Sequence, residues 1–328
     1  MKIIIVTTEN EQMKETGFGL MKSCLSMKEA LESNYNSVTI KSCASEQDLE
    51  VVALLSPDIV VLAVKYIHGV DDQKIWLSQY FEDAGIIYTG STREVLEYDS
   101  DKILAKNLIL KKGIQTAVFT TVTPESLHSK INESIPYPQF IKPLNAANGN
   151  GIDDDSVVYN SDDFINKANS LFAKYGNIAI SEKYLSGREF TVAVLHNAAT
   201  NKYTSAPIEI IPPLNDNNIR ILGQKVKIED NEGFAAITNK NERKQLEKMA
   251  IKCFKALGVR DFGRVDIKMD EDGVCNFLEV NLVPGMTKGT SYFPICFEMD
   301  KQLSYGKIIC SVVDNAVSRA SVLSKSII

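Results

Sequence analysis

The segment that most constrains the fold is residues 263–281, which read GRVDIKMDEDGVCNFLEVN. Two runs of alternating residues flank Asp272 and Gly273, a dipeptide typical of a two-residue hairpin turn. This register pairs Glu271 with Val274 and predicts an antiparallel hairpin whose side chains alternate between two faces. One face is apolar and can pack on a core; it consists of Val265, Ile267, Met269, Leu278 and Val280.

The other face of the predicted hairpin carries two acids. The same register places Asp266 opposite Glu279 and Arg264 opposite Asn281, with opposed Cβ atoms about 4.5–5.5 Å apart. One explanation is a solvated face on which Arg264 neutralises the two carboxylates. The other is a magnesium site, because hard divalent cations prefer carboxylate and amide oxygens. A β-bulge would move the acidic pair onto a diagonal.

The N-terminal part of the chain alternates strand and helix patterns. Residues 2–6 and 58–64 are continuous apolar runs, typical of parallel strands buried on both faces. Helical spacing separates them, and the alternation predicts an open parallel sheet. The predicted helices are 19–31 and 75–85, and the further predicted strands are 37–43 and the IIYTG segment at 86–90.

The remainder of the chain mixes helices with shorter strands. A glycine- and asparagine-rich loop is expected at 144–155, and a loop rich in Pro, Asn and Asp at 207–233. The residue patterns predict helices 101–113, 161–176 (with Ser161 as N-cap), 241–257 and 300–320, and strands 117–122, 138–143, 178–185 and 189–195. Together the patterns predict three α/β or α+β lobes at 1–93, 94–180 and 181–328.

Composition excludes several classes of function. The formal net charge is −6 and no long basic run occurs, so a nucleic-acid partner is not expected. No apolar stretch approaches membrane-spanning length, and the first apolar run is too short for a signal peptide. We therefore expect a cytoplasmic protein without a membrane partner. The six cysteines are scattered and predict free thiols, and three histidines make zinc chemistry or a histidine triad unexpected.

Isolated polar residues in the middle of the chain are candidates for nucleotide binding. Lys102 begins a predicted helix and Lys142 ends a predicted strand, and the glycine-rich loop after Lys142 can place backbone N–H groups around phosphates. Glu182 and Glu189 flank a turn and can accept hydrogen bonds from adenine or ribose. Taken singly, each feature is equally explained by a surface lysine, a plain hairpin turn or a solvated acid.

Together, these motifs closely resemble those of the ATP-grasp enzymes, and specifically the D-alanine–D-alanine ligases. The resemblance rests on the order Lys102, Lys142, EKYLSGREFTV and GRVDIKMDEDGVCNFLEVNLVPGMT, and it runs from residues 88–91 to the C-terminal helix. It implies a three-lobed ATP-grasp fold of α/β (α+β) class, with an N-terminal parallel-sheet lobe and two α+β lobes that clamp ATP. The implied nucleotide ligands are Lys102 and Lys142 for phosphates, Glu182, Lys183 and Leu185 for adenine, and Glu189 for ribose.

The resemblance also implies catalytic and metal-binding residues. Asp266, Glu279 and Asn281 match the ligands of two Mg²⁺ ions, with Mn²⁺ as the alternative ion. Arg264 matches an arginine that stabilises the acyl phosphate and the tetrahedral intermediate. Lys225 matches the lysine of a mobile loop that closes on the γ-phosphate.

Departures from the family pattern lie where substrates would bind. A double glycine and a following glutamate, which receives the first substrate's ammonium in the family, have no clear equivalent in VTTENEQMKETGFG. Asn148 replaces the phosphate-loop serine and is therefore a catalytic candidate, and Val226 replaces a tyrosine. His68, Lys288 and Thr290 are the substrate candidates, although Lys288 is equally explained as a solvated loop lysine. The nucleotide half thus follows the family more closely than the acceptor half.

These expectations combine into an ADP-forming carboxylate–amine ligase that makes an amide or peptide bond through an acyl phosphate. Its partners would be a small-molecule acid and amine, such as amino acids, and the resemblance allows a homodimer. One alternative is a true D-alanine–D-alanine ligase of peptidoglycan precursor synthesis. Another is a nucleotide-binding regulator without catalysis, against which the retained Arg264 argues. The identity and stereochemistry of the two substrates stay open.

Overall fold

A computed structural model of the chain describes residues 1–8, 18–69, 71, 73–130, 135–144 and 149–325. Its strands form sheets of three, four and five strands and one two-stranded ribbon. This mixture of helices with parallel and antiparallel sheets confirms the predicted α/β (α+β) class. Across these ranges, no helix is both long and apolar enough to cross a membrane.

The first sheet is parallel and is covered on both faces. Its region contains β1 (Lys2–Thr7), α1 (Met21–Glu32), β2 (Ser37–Ser42), α2 (Glu46–Leu54), β3 (Ile59–Leu62), β4 (Tyr66–His68), β5 (Lys74–Trp76) and α3 (Leu77–Asp83). The strand order is β2-β1-β3. Because side chains alternate along a strand, Ile3 and Ile5 join the core with α1, whereas Ile4 and Val6 join a second core with α2 and α3. Burial on both faces explains the continuous apolar run.

The second sheet is antiparallel, with the strand order β6-β9-β7-β8. Its region contains α4 (Arg93–Ser100), α5 (Lys102–Lys111), β6 (Phe119–Val122), α6 (Leu127–Lys130), β7 (Gln139–Pro143), β8 (Val157–Val158), α7 (Ser161–Tyr175) and β9 (Ala179–Lys183). Helix α7 packs Phe164 and Leu171 against Ile141 of this sheet. The N-cap of α7 is Asn160, one residue before the predicted Ser161.

The third sheet is also antiparallel and has the order β12-β11-β10-β13-β14. It contains β10 (Glu189–Asn197), β11 (Lys202–Ile211), α8 (Gln224–Glu229), β12 (Gly233–Ala236), α9 (Lys240–Leu257), β13 (Phe262–Met269), β14 (Cys275–Asn281), α10 (Tyr292–Lys301) and α11 (Tyr305–Lys325). Helices α9, α10 and α11 pack on this sheet and complete the largest core.

Three local predictions are wrong. The predicted loop at 207–233 begins inside β11, which is held by pairing with β10. The predicted strand at 86–90 is reduced to one bridge between Val60 and Tyr88. The predicted final helix is two helices, divided at Gln302, whose φ of 54° is left-handed. The lobe boundaries at residues 93 and 180 stay a prediction.

The hairpin of β13 and β14 joins the polar residues as the sequence predicts. Arg264 pairs with Asn281 and Asp266 pairs with Glu279. Arg264 and Asp266 are both 8% exposed, whereas Glu279 and Asn281 are half-buried. The expectation of a solvated face therefore fails for Arg264 and Asp266, although Arg264 does pair with Asp266 as that explanation requires.

The turn of the hairpin corrects the predicted register. Met269 pairs with Cys275, so residues 270–274 form the turn and the predicted pairing of Glu271 with Val274 does not occur. A β-bulge at Leu278 offsets this shift before the acidic pair is reached. The bulge also turns Leu278 into the cleft described below, whereas the sequence pattern assigned this residue to the core.

A buried ion pair ties the first sheet region to the third. Arg319 of α11 donates to both carboxylate oxygens of Asp261, at 2.9 and 3.1 Å, and to the backbone oxygen of Tyr88 at 2.7 Å. Asp261 also accepts from the backbone N–H of Gly90 at 2.8 Å. The side chain of Asp261 is 1% exposed, so its charge depends on these donors.

We expect the substitution Asp261→Asn to lower the free energy of unfolding by about 3 kcal/mol, because it leaves the Arg319 guanidinium buried without its counterion. Asparagine keeps the side-chain shape and tolerates the left-handed backbone of residue 261, where φ is 55°. The measurement is urea denaturation. Asp314→Asn is the control. Asp314 lies on α11, the helix that carries Arg319, and its exposed carboxylate accepts a hydrogen bond from the Tyr35 hydroxyl. An equal loss of unfolding free energy in the two variants would contradict the assignment of Asp261 as the buried counterion of Arg319.

Candidate active site

A cleft lies between the second and third sheets. It is lined by apolar side chains at one part and by charged side chains at another. Eight of the residues predicted to bind nucleotide or metal line it, namely Lys102, Lys142, Glu182, Lys183, Leu185, Glu189, Asp266 and Glu279. Residues far apart in sequence therefore meet because the two sheets face each other.

Lysines and an acid face each other across the cleft. The side-chain nitrogen of Lys102, at the start of α5, lies 3.9 Å from a carboxylate oxygen of Glu279 on β14. Burial raises the pKa of Glu279, but the charges of Lys102, Lys227 and Lys142 outweigh burial and lower it to about 2. Burial lowers the pKa of Lys102 more than the nearby acids raise it. These groups form a mixed field suited to an anion accompanied by cations.

The floor of the cleft is a buried carboxylate between two lysines. One oxygen of Glu182 lies 2.9 Å from the nitrogen of Lys142, and the other lies 2.7 Å from that of Lys106. The contact between Lys106 and Glu182 is an ion pair whose angles do not meet those of a hydrogen bond. The Lys106 ammonium donates a hydrogen bond to the Thr116 hydroxyl at 2.7 Å. Burial raises the pKa of Glu182, but the two lysines outweigh burial and lower it to about 2.

Sequence reasoning missed Lys106, which is fully buried. The available signal was its spacing, because Lys106 follows Lys102 by four residues and therefore lies on the same side of α5. With both Glu182 oxygens facing lysines, the acid serves to hold these cations. Its predicted part in reading adenine stays a prediction.

Asp266 is surrounded by donors on the polar face of the hairpin. Its Oδ1 accepts from Thr191 at 2.6 Å and from Arg264 Nε at 3.0 Å. Its Oδ2 accepts from a second Arg264 nitrogen at 3.0 Å and from the Asn281 amide at 2.9 Å. The arginine and the acid thus form a two-point ion pair, which raises the pKa of Arg264 despite its burial. Asn281 is not among the residues that line the cleft, and its amide donates to Asp266, which does line it.

The adenine and ribose candidates also line the cleft. Glu189 is held by Lys268 at 2.8 Å, and Lys183 pairs with Glu271 of the hairpin turn at 2.7 Å. Leu185 is buried and contributes an apolar wall. This combination of an apolar wall with a placed acid is typical of a pocket for a flat ring joined to a hydroxylated group.

The structure brings Lys227 into the cleft and leaves Lys225 outside it. Both residues belong to α8, where positions two apart point in nearly opposite directions. Lys227 lines the cleft, whereas Lys225 is exposed and lines a separate hollow with Asp153 and Lys167. Lys225 was matched through the family resemblance, and no short helix was expected in this segment. The role of Lys225 on the γ-phosphate stays a prediction.

The substrate candidates do not line the cleft. His68 ends β4 and stacks edge-on with Tyr66, with ring centres 5.6 Å apart. Lys288 and Thr290 are exposed in a turn after β14. Asn148 lies outside the described residues. The roles of these four residues stay predictions.

The predicted metal ligands supply two carboxylates and one amide. In the ranges that the structure describes, no group of three or more His, Cys, Asp or Glu side chains gathers in a way that could hold a metal ion. A site at this hairpin would therefore need oxygens from a bound ligand to complete it, which is the usual arrangement for Mg²⁺ with phosphates.

Comparison with known proteins identifies the source of this arrangement. A family model described as "D-ala D-ala ligase C-terminus" matches residues 108–314. The D-alanine–D-alanine ligase of Acetivibrio thermocellus is 30% identical over 263 residues, covering 77% of this chain and 67% of that protein. The D-alanine–D-alanine ligase of Geobacillus thermodenitrificans is 27% identical over 294 residues, covering 87% of this chain and 75% of that protein.

Solved structures share the fold over nearly the whole chain. A D-alanine–D-alanine ligase from Bacillus anthracis complexed with ATP has a TM-score of 0.71 at 20% identity, covering 98% of this chain and 99% of that one. The VanG D-Ala:D-Ser ligase from Enterococcus faecalis also has a TM-score of 0.71 at 20% identity, covering 96% and 99%. The expected ATP-grasp fold is thereby confirmed.

The buried Glu182 cluster yields a stability prediction. Glu182→Gln should lower the free energy of unfolding by about 3–5 kcal/mol, because Lys106 and Lys142 lose their shared counterion in a buried site. Adding Lys106→Met should recover part of that loss, since an unpaired buried charge is removed with it. The measurement is urea denaturation of both single variants and the double variant.

The pH dependence of the same variants provides the control. The pKa of Glu182 falls from its ordinary 4.5 to about 2 in the folded chain. The stabilisation is therefore complete above about pH 4.5 and disappears as the pH falls towards 2. Glu182→Gln should lack this part of the acid transition. A double variant that is less stable than Glu182→Gln would argue against the cluster.

The two lysines of α8 form a matched pair for nucleotide binding. Lys227→Ala should raise the Kd for ATP in the presence of MgCl₂ by about 10-fold or more, because one charge-assisted contact to a phosphate contributes about 1.5–3 kcal/mol. Lys225→Ala should leave the Kd within about twofold, since that side chain faces away from the cleft. Calorimetric titration measures both. A larger rise in the Kd for ATP in Lys225→Ala than in Lys227→Ala would assign the phosphate contact to Lys225 instead.

Proposed function

Because the chain belongs to the D-alanine–D-alanine ligase family, we propose that its cleft uses ATP to activate an amino-acid carboxylate and couples it to an amine. The protein is an ATP-dependent, ADP-forming ligase that makes an amide bond. The alternative of a regulator without catalysis is therefore set aside. D-alanine is the first substrate to test on either side of the reaction, since it appears in the names of the relatives.

One observation carries the proposal: three lysines and an opposed pair of acids line the same cleft. Lys102, Lys142 and Lys227 supply positive charge for phosphate oxygens, while Asp266 and Glu279 face them from the hairpin. A neutral or cationic ligand would not need the lysines, and a simple anion would not need the acids. A polyphosphate that arrives with a divalent cation satisfies both sets.

The acids fit Mg²⁺ in donor type. Asp266 and Glu279 would hold it, with Asn281 as a neutral third donor, and the ion would neutralise charge on phosphate oxygens when bound. Asp266 accepts four hydrogen bonds, so an ion held there would compete with its present donors. Glu279 is 31% exposed and faces the cleft, which leaves room for a ligand at that side.

The lysines and Arg264 would serve different parts of the reaction. A substrate carboxylate attacks the γ-phosphate to give an acyl phosphate and ADP, and an amine then attacks the acyl carbon as phosphate leaves. Lys102, Lys142 and Lys227 hold the phosphates in place. Arg264, buried beside Asp266, stabilises the charge that develops on the acyl phosphate and on the tetrahedral oxygen.

The proposal is tested by phosphate release from ATP with MgCl₂ and a panel of D- and L-amino acids, with products identified by mass spectrometry. We expect release with at least one amino acid and an ADP yield equal to the yield of amide. Glu279→Gln should lower kcat by about 100-fold or more, while ATP binding is retained.

Two outcomes of this assay would change the conclusion. Dipeptide formation from D-alanine alone would identify a true D-alanine–D-alanine ligase. A silent panel with ATP still bound would count against amino acids as substrates. Assembly as a homodimer, cytoplasmic location and the absence of nucleic-acid and membrane partners stay predictions that the assay does not address.

A further inference from the structure

A buried ion pair lies after β3, in the first sheet region. Lys65 is 3% exposed, and its ammonium lies 3.2 Å from a carboxylate oxygen of Asp99. The same ammonium donates a hydrogen bond to the Ser100 hydroxyl at 2.9 Å. Asp99 and Ser100 are the last two residues of α4, where the helix dipole also favours a cation. A lysine is almost never fully buried unless it is paired, so these contacts hold Lys65 in place.

Asp99 uses its other oxygen to bind the end of β14. Its Oδ1 accepts from Lys65, whereas its Oδ2 accepts from the backbone N–H of Leu282 at 2.7 Å and from that of Val283 at 3.4 Å. Leu282 directly follows Asn281, the last residue of β14. Hydrogen bonds to a carboxylate are roughly twice as strong as those between neutral groups. Asp99 therefore fixes the point at which the chain leaves the hairpin.

Asp99 also precedes the phosphate candidate Lys102 closely in the chain. Lys102 begins α5, and its ammonium lies 3.9 Å from a carboxylate oxygen of Glu279. Asp101 caps this helix by accepting a hydrogen bond from the backbone N–H of Leu104 at 2.9 Å, so little free chain separates Asp99 from Lys102. One carboxylate thus lies between the helix that begins with Lys102 and the strand that carries Glu279. The distance between these two groups depends on its position.

Lys65 neutralises Asp99 and so keeps Lys102 available for the cleft. Burial lowers the pKa of Lys102, and Glu279 and Asp99 are among the acids that raise it, so the charge of Asp99 reaches Lys102. An Asp99 carboxylate without Lys65 would attract Lys102 more strongly and would draw it away from Glu279. The Asp99 side chain is 16% exposed, so water screens this attraction only in part.

We propose that Asp99, neutralised by Lys65, is a positioning residue that sets the distance between Lys102 and the metal-binding end of β14. This rests on the proposed function, in which Lys102 holds phosphate and Glu279 and Asn281 hold Mg²⁺. Neither Lys65 nor Asp99 lines the cleft, so both act through groups that do. In the described part of the chain, the residues that line the cleft begin at Lys102. The ion pair therefore lets the first sheet region affect the binding of ATP and Mg²⁺.

Hydrogen exchange of the ligand-free chain tests the position of the strand end. In Asp99→Asn and in Lys65→Met, the amide of Leu282 should exchange about 10-fold faster, because its acceptor loses its charge or its counterion. The measurement is hydrogen exchange followed by NMR. Glu97→Gln is the matched control, since it alters an exposed acid of the same helix, and the amide should keep its wild-type rate.

Kinetics test the consequence for the reaction. With the most active amino acid of the panel, Asp99→Asn and Lys65→Met should each lower kcat about 10-fold and raise the MgCl₂ concentration for the half-maximal rate about 10-fold. A loss of folded protein alone would lower kcat and leave the MgCl₂ dependence unchanged. Glu97→Gln should change neither quantity.

The double variant separates action through Asp99 from a direct role of Lys65. If Lys65 acts through Asp99, adding Lys65→Met to Asp99→Asn should lower kcat by less than about twofold further. The double variant has no unpaired charge in this pair, so it should fold even where a single variant is unstable. A second loss as large as the first would show that Lys65 acts on its own and would overturn the inference. A wild-type exchange rate at Leu282 in the double variant would overturn it as well.

The outcomes keep this inference distinct from the proposed function. If the wild-type chain ligates amino acids and Asp99→Asn keeps the wild-type kcat and MgCl₂ dependence, the inference is overturned and the ligase function stands. If the whole panel is silent, the ligase function on amino acids fails, and calorimetric titration of ATP at low and at saturating MgCl₂ tests the inference. A Kd that rises about 10-fold in Asp99→Asn at low MgCl₂ supports it. Equal Kd values for Asp99→Asn and the wild type at low MgCl₂ overturn it.

Discussion

The buried contact of Glu182 with Lys106 and Lys142 holds the functional part of this molecule together. Glu182 belongs to the central strand β9, Lys142 to its neighbour β7 and Lys106 to α5. Thr116, which accepts a hydrogen bond from Lys106, donates in turn to the backbone oxygen of Phe277 on β14. The chain of contacts therefore runs from the second sheet to the hairpin of the third. One acid thus neutralises two buried lysines, one of which is linked through Thr116 to the hairpin.

Much of the site was predictable from sequence, because strand geometry fixes which residues are neighbours. Alternation around the hairpin predicts Asp266 opposite Glu279, and this pairing occurs because the bulge at Leu278 compensates for a turn that differs by one residue from the predicted one. The local turn and the face of Leu278 could not be predicted, since the bulge depends on how β14 meets β13. The same limit applies to β11, whose strand structure comes from pairing with β10 rather than from its own sequence.

Contacts between distant elements account for what the sequence missed in the site. Lys106 looks like an ordinary helix residue until Glu182 is placed beside it, some 76 residues later in the chain. The choice between Lys225 and Lys227 depends on a helix of six residues. The nucleotide half was recognisable from sequence, whereas the residues of the acceptor half stay predictions.

The tie between Arg319 and residues 88–90 also bears on how the protein is made. The two partners of the hydrogen bond from Arg319 to Tyr88 are separated by 231 positions in the chain. At a synthesis rate of about 5–20 residues per second, the arginine leaves the ribosome roughly 10 s or more after the first sheet. Once Asp261 has been synthesised, its carboxylate lacks the arginine that neutralises it in the folded protein until Arg319 follows. The nascent N-terminal sheet then has only the apolar core that it shares with α2 and α3, because the core on its α1 face also contains residues of the third sheet and of α11. The late arrival of α11 therefore completes both that core and the union of the two regions.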